Sequence, residues 1–204
     1  MDHRAWDERY ASTELIWTAE PNRFLVAEAG GLAPGRALDL ACGEGRNTVW
    51  LATQGWEVTG VDFSRTGLDK ARHLARQRHV TAEWILADVT TYRPPPAAFD
   101  LVTILYLQLP AEPLAVALAT AVSALAPGGT LLVVGHDTTN LTHGYGGPPD
   151  PTVLYTPDQI VSHLDGLVID KAERVQRPVE TDRGTIDAVD ALVRAHHPQP
   201  PRTE

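Results

Sequence analysis

Apolar positions in this chain fall in short blocks separated by glycine, proline and charged residues. The block Arg36-Ala37-Leu38-Asp39-Leu40-Ala41 lies between Pro34-Gly35 and Cys42-Gly43. Its length and flanks predict a buried strand. Asn47 to Thr53 is apolar at Val49, Trp50 and Ala52, and Gly55 follows. That pattern predicts a helix with a glycine stop. Glu57 to Asp62 is a second predicted strand, and Leu68, Ala71, Leu74 and Ala75 recur at helical spacing. Trp84 to Ala87 predicts a third strand, ending at Asp88. A loop at Pro94-Pro95-Pro96 precedes a fourth, Phe99 to Leu105. A helix rich in alanine and leucine, Leu114 to Leu125, stops at Pro127-Gly128-Gly129, and Thr130 to Val134 is the fifth strand. Strands and helices alternating at this spacing form parallel βαβ units. The predicted fold is therefore α/β: a Rossmann-like, doubly wound sheet with helices on both faces.

The flanks read differently. Residues 1–30 predict an N-terminal cap of two short helices, the second opened by Pro21-Asn22 and closed by Gly30-Gly31. Residues 136–157 are rich in glycine and proline and lack periodicity, which predicts a lid-like loop. Thr156-Pro157-Asp158 predicts an N-cap and first turn leading to Ile160, Val161 and Leu164. Leu167-Val168-Ile169 starts another strand. Thr185 to Ala195 stays open: Ile186, Val189, Leu192 and Val193 fit a helix, while the β-branched content allows a strand. Residues 196–204 predict a flexible tail.

Composition narrows the classes. A chain of 204 residues with 43% apolar and 21% charged residues suits one globular domain, taken as 1–204. Seventeen basic residues against 26 acidic ones leave a net charge of −9. That balance argues against nucleic acid and anionic membrane surfaces as partners. No apolar run approaches the ~18 residues that span a bilayer. The single cysteine, Cys42, permits no intramolecular disulfide and fits a cytoplasmic location. No apolar core follows a basic N-terminus, so no signal peptide is expected. A monomer or homodimer acting on a small molecule is the expectation.

The richest local signal is the turn from first strand to first helix, Ala41-Cys42-Gly43-Glu44-Gly45-Arg46-Asn47. In doubly wound sheets ligands bind beyond the carboxyl ends of the strands, where glycines let the backbone approach them. A tight turn needing glycine for geometry alone has the same appearance. Asp62 ends the second strand about twenty residues later, where a carboxylate can accept both ribose hydroxyl protons. The dinucleotide fingerprint wants a small residue at the position of Thr48. Asp39, just before the turn, would repel a pyrophosphate but suits an ammonium group. Asp88 could accept from an adenine amino group. Three acids at three strand ends fit S-adenosylmethionine, which carries ribose, adenine and positive charge but no phosphate.

From Leu32 to Val134 the chain resembles the class I S-adenosylmethionine-dependent methyltransferases. Leu38 to Asn47 resembles that family's first motif, Gly60-Val61-Asp62-Phe63-Ser64 its second, Ala87-Asp88-Val89 its third and Phe99-Asp100-Leu101-Val102 its fourth. Leu125 to Gly129 resembles the turn before the fifth strand. Within the family, Gly45-Arg46-Asn47, the opening Trp6 to Tyr10 and the Gly146-Gly147-Pro148 loop resemble the tellurite-resistance and thiol small-molecule methyltransferases. The resemblance implies seven strands, where the residues alone indicate about six. It implies that Ala41, Cys42 and Gly43 line the methionine part, with Gly45 and Asn47 in the same turn and Asp39 holding the ammonium. Asp62 would bind ribose, with Ser64 beside it and Phe63 on adenine. Asp88 and Val89 would meet the adenine edge, and Leu105 and Tyr106 would flank the methionine portion. S-adenosylhomocysteine would be the product.

The implied reaction is in-line methyl transfer to a small-molecule acceptor: a thiol, chalcogen oxyanion, phenol or amine. A soft nucleophile needs no base; a phenol does. His136 and His143 are the candidate bases, or else surface loop residues. Trp6, Tyr10, Tyr106 and Tyr145 are aromatic candidates for the acceptor pocket, with Tyr10 also a catalytic candidate. Trp6 and Tyr10, at i and i+4, could equally staple the first helix to the core. No metal is expected. Two other classes remain open: an NAD-dependent oxidoreductase, and a non-catalytic S-adenosylmethionine-binding protein.

Overall fold

A computed structural model describes residues 3–11, 15–16, 18–182 and 184–199. Two short helices come first, α1 (His3–Tyr10) and α2 (Arg23–Ala29), as the N-terminal pattern predicts. Asn22 caps α2 by accepting from the backbone N–H groups of Phe24 and Leu25, which satisfies donors that the first turn leaves orphaned. The alternating segment follows: β1 (Arg36–Leu40), α3 (Arg46–Thr53), β2 (Glu57–Asp62), α4 (Arg65–Gln77), β3 (Glu83–Leu86), β4 (Phe99–Leu105), α5 (Ala111–Ala124) and β5 (Leu125–His136).

Beyond β5 lie α6 (Asn140–His143), a 3-10 turn at Pro151–Val153, α7 (Pro157–Val161), and two long strands, β6 (Val168–Thr181) and β7 (Gly184–His196). The stretch 136–157 is thus less bare than its composition suggests. His136 still belongs to β5, and Asp137 bridges Tyr155. Thr156 makes a capping box with Gln159 at the start of α7. Thr185–Ala195 is strand, not helix. The tail is tied down at its start: Gly128 N–H donates to the His197 carbonyl at 2.8 Å and His197 N–H to the Gly129 carbonyl at 2.9 Å. Residues 200–204 of the predicted tail lie outside the described residues.

The seven strands form one sheet in the order β3-β2-β1-β4-β5-β7-β6. The first five are parallel, and β7 pairs antiparallel with β5 and β6. Successive side chains on a strand point to opposite faces. Leu38 and Leu40 with Val102 and Ile104 pack against α5, whose Leu114, Leu118 and Ala121 are buried. Ala37 with Leu101 and Leu105 packs on the other face against Leu25 of α2 and Leu51 of α3. That alternation puts Asp39 and Thr103 together on the second face. The order reverses direction between β1 and β4, the point where doubly wound sheets bind ligands. The β6–β7 hairpin runs past His136, the last residue of β5, so its outer half stands beside the carboxyl ends of β4 and β5.

Candidate functional site

The turn after β1 departs from ordinary backbone at three places. Ala41, Gly43 and Gly45 have φ of 60°, 56° and 80°. At Gly45 a side chain is excluded twice over. The left-handed conformation is costly for any residue with a Cβ, and that Cβ would lie 2.5 Å from Cβ of Ala71 and 2.8 Å from Trp84. Gly45 N–H donates to the Cys42 carbonyl at 2.9 Å, and Cys42 N–H to the Val61 carbonyl at 3.0 Å. The turn is thereby locked to β2. Cys42 is buried, and burial pushes its thiol well above the ordinary range, away from the thiolate form.

Asp62 anchors the other side. Its Oδ2 accepts from Gly43 N–H and its Oδ1 from Ser64 N–H, each at 2.8 Å. One carboxylate therefore orients both the glycine turn and the loop carrying Phe63, which is half-buried. Burial raises the Asp62 pKa, partly offset by those N–H donors, while Asp7 nearby pushes it further up. Asp39 sits beneath the turn, with Oδ2 accepting from Thr48 Oγ1 at 2.6 Å and Oδ1 from Thr103 Oγ1 at 2.9 Å. Burial lifts its pKa to about 6 despite both hydroxyls, and Asp62 contributes in the same direction. A cation near the turn favours the ionised form of both acids. Asp88 is exposed beyond β3, where Oδ1 accepts from Thr90 N–H and Oγ1, and Val89 beside it is core.

Helix α1 lies across this region. Asp7 Oδ1 accepts from Ser64 Oγ at 2.5 Å and from Thr66 N–H at 3.1 Å. Tyr10 is buried, and a Cβ on Gly43 would come within 2.8 Å of its hydroxyl. The rings of Trp6 and Tyr10 are 5.2 Å apart. Asn47 in α3 accepts from Asn22 N–H at 2.8 Å, holding the start of α2 against the turn.

At the carboxyl ends of β4 and β5 a second polar group assembles. Tyr106 follows β4 with a left-handed φ of 61°. Its hydroxyl donates to Asp190 Oδ2 at 2.6 Å and accepts from Arg177 Nε at 2.9 Å. His136 lies 5.0 Å from Tyr106, ring centre to ring centre, with Nδ1 3.1 Å from Asp190 Oδ1. His143 and Tyr145 are exposed, and His143 Nδ1 lies 2.7 Å from Thr142 Oγ1. No contact joins either of them to this cluster among the described residues. Sequence reasoning missed Asp190, Arg177, Gln108 and Tyr155. For Asp190 one signal existed: a lone acid inside the apolar block Ala188 to Val193.

Residues 37–129 match the family described as a methyltransferase domain. The glycine turn and Asp62 lie inside the matched stretch. Thiopurine S-methyltransferase of Pseudomonas entomophila is 37% identical over 73 residues, covering 34% of each chain. Demethylmenaquinone methyltransferase of Thermus thermophilus is 38% identical over 104 residues, 50% of this chain and 47% of its own. The chain spans about half or less of the length of these curated relatives. Among solved structures, the N-methyltransferase NodS from Bradyrhizobium japonicum WM9, in complex with S-adenosylhomocysteine, superposes with a TM-score of 0.70 at 20% identity. The match covers 97% of this chain and 98% of that one. At that identity the likeness is one of fold.

Proposed function

We propose that the chain binds S-adenosylmethionine and transfers its methyl group to a small-molecule nucleophile: a thiol, chalcogen oxyanion, phenol or amine. One observation carries the reading: Asp62 grips Gly43 and Ser64 at 2.8 Å, with left-handed residues at Ala41, Gly43 and Gly45 beside it. This is a preformed acid-and-backbone cradle at the switch point of the sheet, and it suits a ribose joined to a cationic amino acid. The bound cofactor supplies an already activated methyl group, so the protein's work is orientation and exclusion of water. Asp62 takes the ribose hydroxyls, and Phe63, Asp88 and Val89 the adenine. The backbone of Ala41 to Gly43 faces the methionine part. Asp39 acts through its charge from beneath the turn, since both of its oxygens are held by threonines. Trp6 and Tyr10 of α1 cover the glycine turn, and Leu105 and Tyr106 close the far side.

Incubation with S-adenosylmethionine labelled at the methyl carbon tests the reading against a panel of thiols, phenols, amines and chalcogen oxyanions. Label is expected in at least one class. Tight S-adenosylhomocysteine binding without any transfer would instead mark a non-catalytic binding protein.

A further inference from the structure

The cofactor reading gives no task to Asp190, His136 and Arg177, which gather around Tyr106 beyond the end of β4. The centre of this group is Asp190, with no exposed surface. A buried carboxylate is costly unless paired, and this one is heavily paired. Oδ2 accepts from Tyr106 Oη at 2.6 Å and from Arg177 Nε at 2.8 Å. Burial pushes the Asp190 pKa up, but His136, Arg177 and Tyr106 outweigh it, and the net direction is down. Asp190 is therefore held as the anion.

His136 is built into place around that anion. Its backbone N–H donates to Gln108 Oε1 at 2.8 Å. Tyr106 lies beside the ring, and Gly147, at φ 81°, lies so close that a Cβ there would come within 2.9 Å of it. Nδ1 faces Asp190 Oδ1 at 3.1 Å, and neither atom has an aligned hydrogen-bond partner. Such contacts are often loose without substrate and tighten when it binds. Tyr155 Oη, from the chain below, is also buried and without a hydrogen-bond partner among the described residues. Asp137, the neighbour of His136, is instead committed to Thr139 and Arg174.

We propose, building on the methyltransferase reading above, that His136 and Asp190 form a general-base dyad and that the acceptor is a phenol. Once the contact between Nδ1 and Asp190 tightens and Nδ1–H is given to that carboxylate, the lone pair left to take a proton is that of Nε2. A thiol, with a reference pKa near 8.5, is already partly ionised at neutral pH, and an unprotonated amine is itself the nucleophile; neither needs such a base. A phenol, with a reference pKa of about 10, is still protonated at neutral pH and has to lose that proton during transfer. An aliphatic hydroxyl is a far weaker acid than a phenol, so the phenol is the acceptor that an imidazole base serves most readily. In the step, the phenolic proton passes to His136 Nε2 as the oxygen forms its bond to the methyl carbon. The carbon–sulfur bond breaks with its electron pair going to sulfur, leaving a methyl ether and a thioether. The proton then leaves His136 for solvent. Tyr106 and Arg177 are positioning residues, acting through Asp190.

The test is methyl transfer by the full chain to catechol, to 4-nitrophenol assayed where it is already ionised, and to thiophenol. His136→Gln is expected to lower kcat/KM on catechol by about 10²–10⁴-fold and far less on 4-nitrophenolate, which has no proton to lose. It also removes one ionisation from the catechol pH profile. Asp190→Asn is expected to lower kcat on catechol with KM nearly unchanged. Calorimetry with S-adenosylhomocysteine shows whether each variant keeps a folded cofactor site. An unchanged catechol rate in His136→Gln would overturn the dyad. Transfer by the wild type to thiophenol but to neither phenol would overturn the acceptor class while leaving the methyltransferase reading standing. Absence of both cofactor binding and transfer would overturn that reading too.

Discussion

Asp39 and Asp62 occupy neighbouring strand ends, and the electrostatics of each affects folding. The pKa of Asp39 is raised from 3.8 to about 6, chiefly by burial. A carboxyl with a raised folded value binds its proton more tightly when folded. Its contribution is fully present below the unfolded value and is lost as pH rises through the folded one. Between about pH 4 and 6 the ionisation of Asp39 should therefore cost on the order of 3 kcal/mol. Asp39→Asn should flatten the fall in stability over that window, read by urea unfolding at a series of pH values. A wild-type slope unchanged in the variant would contradict the assignment. Asp62 shifts in the same direction and remains as a shared background. Asp62→Ala should weaken S-adenosylhomocysteine binding more than about tenfold, or about 1.4 kcal/mol. It also leaves the Gly43 and Ser64 N–H groups without their acceptor, at about 1–3 kcal/mol each, so the melting temperature should fall while the chain still folds. Calorimetry and thermal unfolding read the two effects separately, and undiminished affinity would refute the ribose role.

At the scale of elements, α1 is held against the cradle by Asp7 and by the buried Tyr10. Asp7 fastens it to the first turn of α4 through Ser64 and Thr66. An acid at a helix N-terminus in this way stabilises by about 1 kcal/mol. Asp7→Ala should speed hydrogen exchange in residues 3–10 several-fold and leave the amides of β1 and β4 unchanged. Equal acceleration throughout would mean that α1 is part of the cooperative core. The alternating elements from β1 to β5 were readable because β1, β2, β4 and β5 are largely buried and several of the turns carry glycine or proline. The final hairpin was not. Ile186, Val189, Leu192 and Val193 satisfy a helical period by coincidence. The outer half of β7 pairs only with β6 and is exposed, so no strict alternation is imposed on it. The positions of Asp39, Asp62 and Asp88 were legible for a related reason, since they sit at strand ends that the periodicity locates. The Asp190–Arg177 pair was not legible, because it depends on register between two strands whose type the sequence left open.

For the molecule as a whole, the net charge of −9 hides a division of labour. Asp39, Asp62 and Asp190 are buried and paired, and they lie at the carboxyl ends of β1 and β2 and along β7. Much of the remaining acidity is on the surface, including Asp69, which pairs with Arg72 one turn along α4. Such exposed pairs contribute little to stability. Among the described residues no helix is long and apolar enough to cross a membrane. The central claim is that the cradle between β1 and β2 takes a sulfonium nucleoside and not a dinucleotide. Calorimetric titration of the full chain with S-adenosylhomocysteine, followed by NAD, tests it most directly. Saturable one-to-one binding of S-adenosylhomocysteine with no heat from NAD is the predicted result. Tight NAD binding with no response to S-adenosylhomocysteine would contradict it.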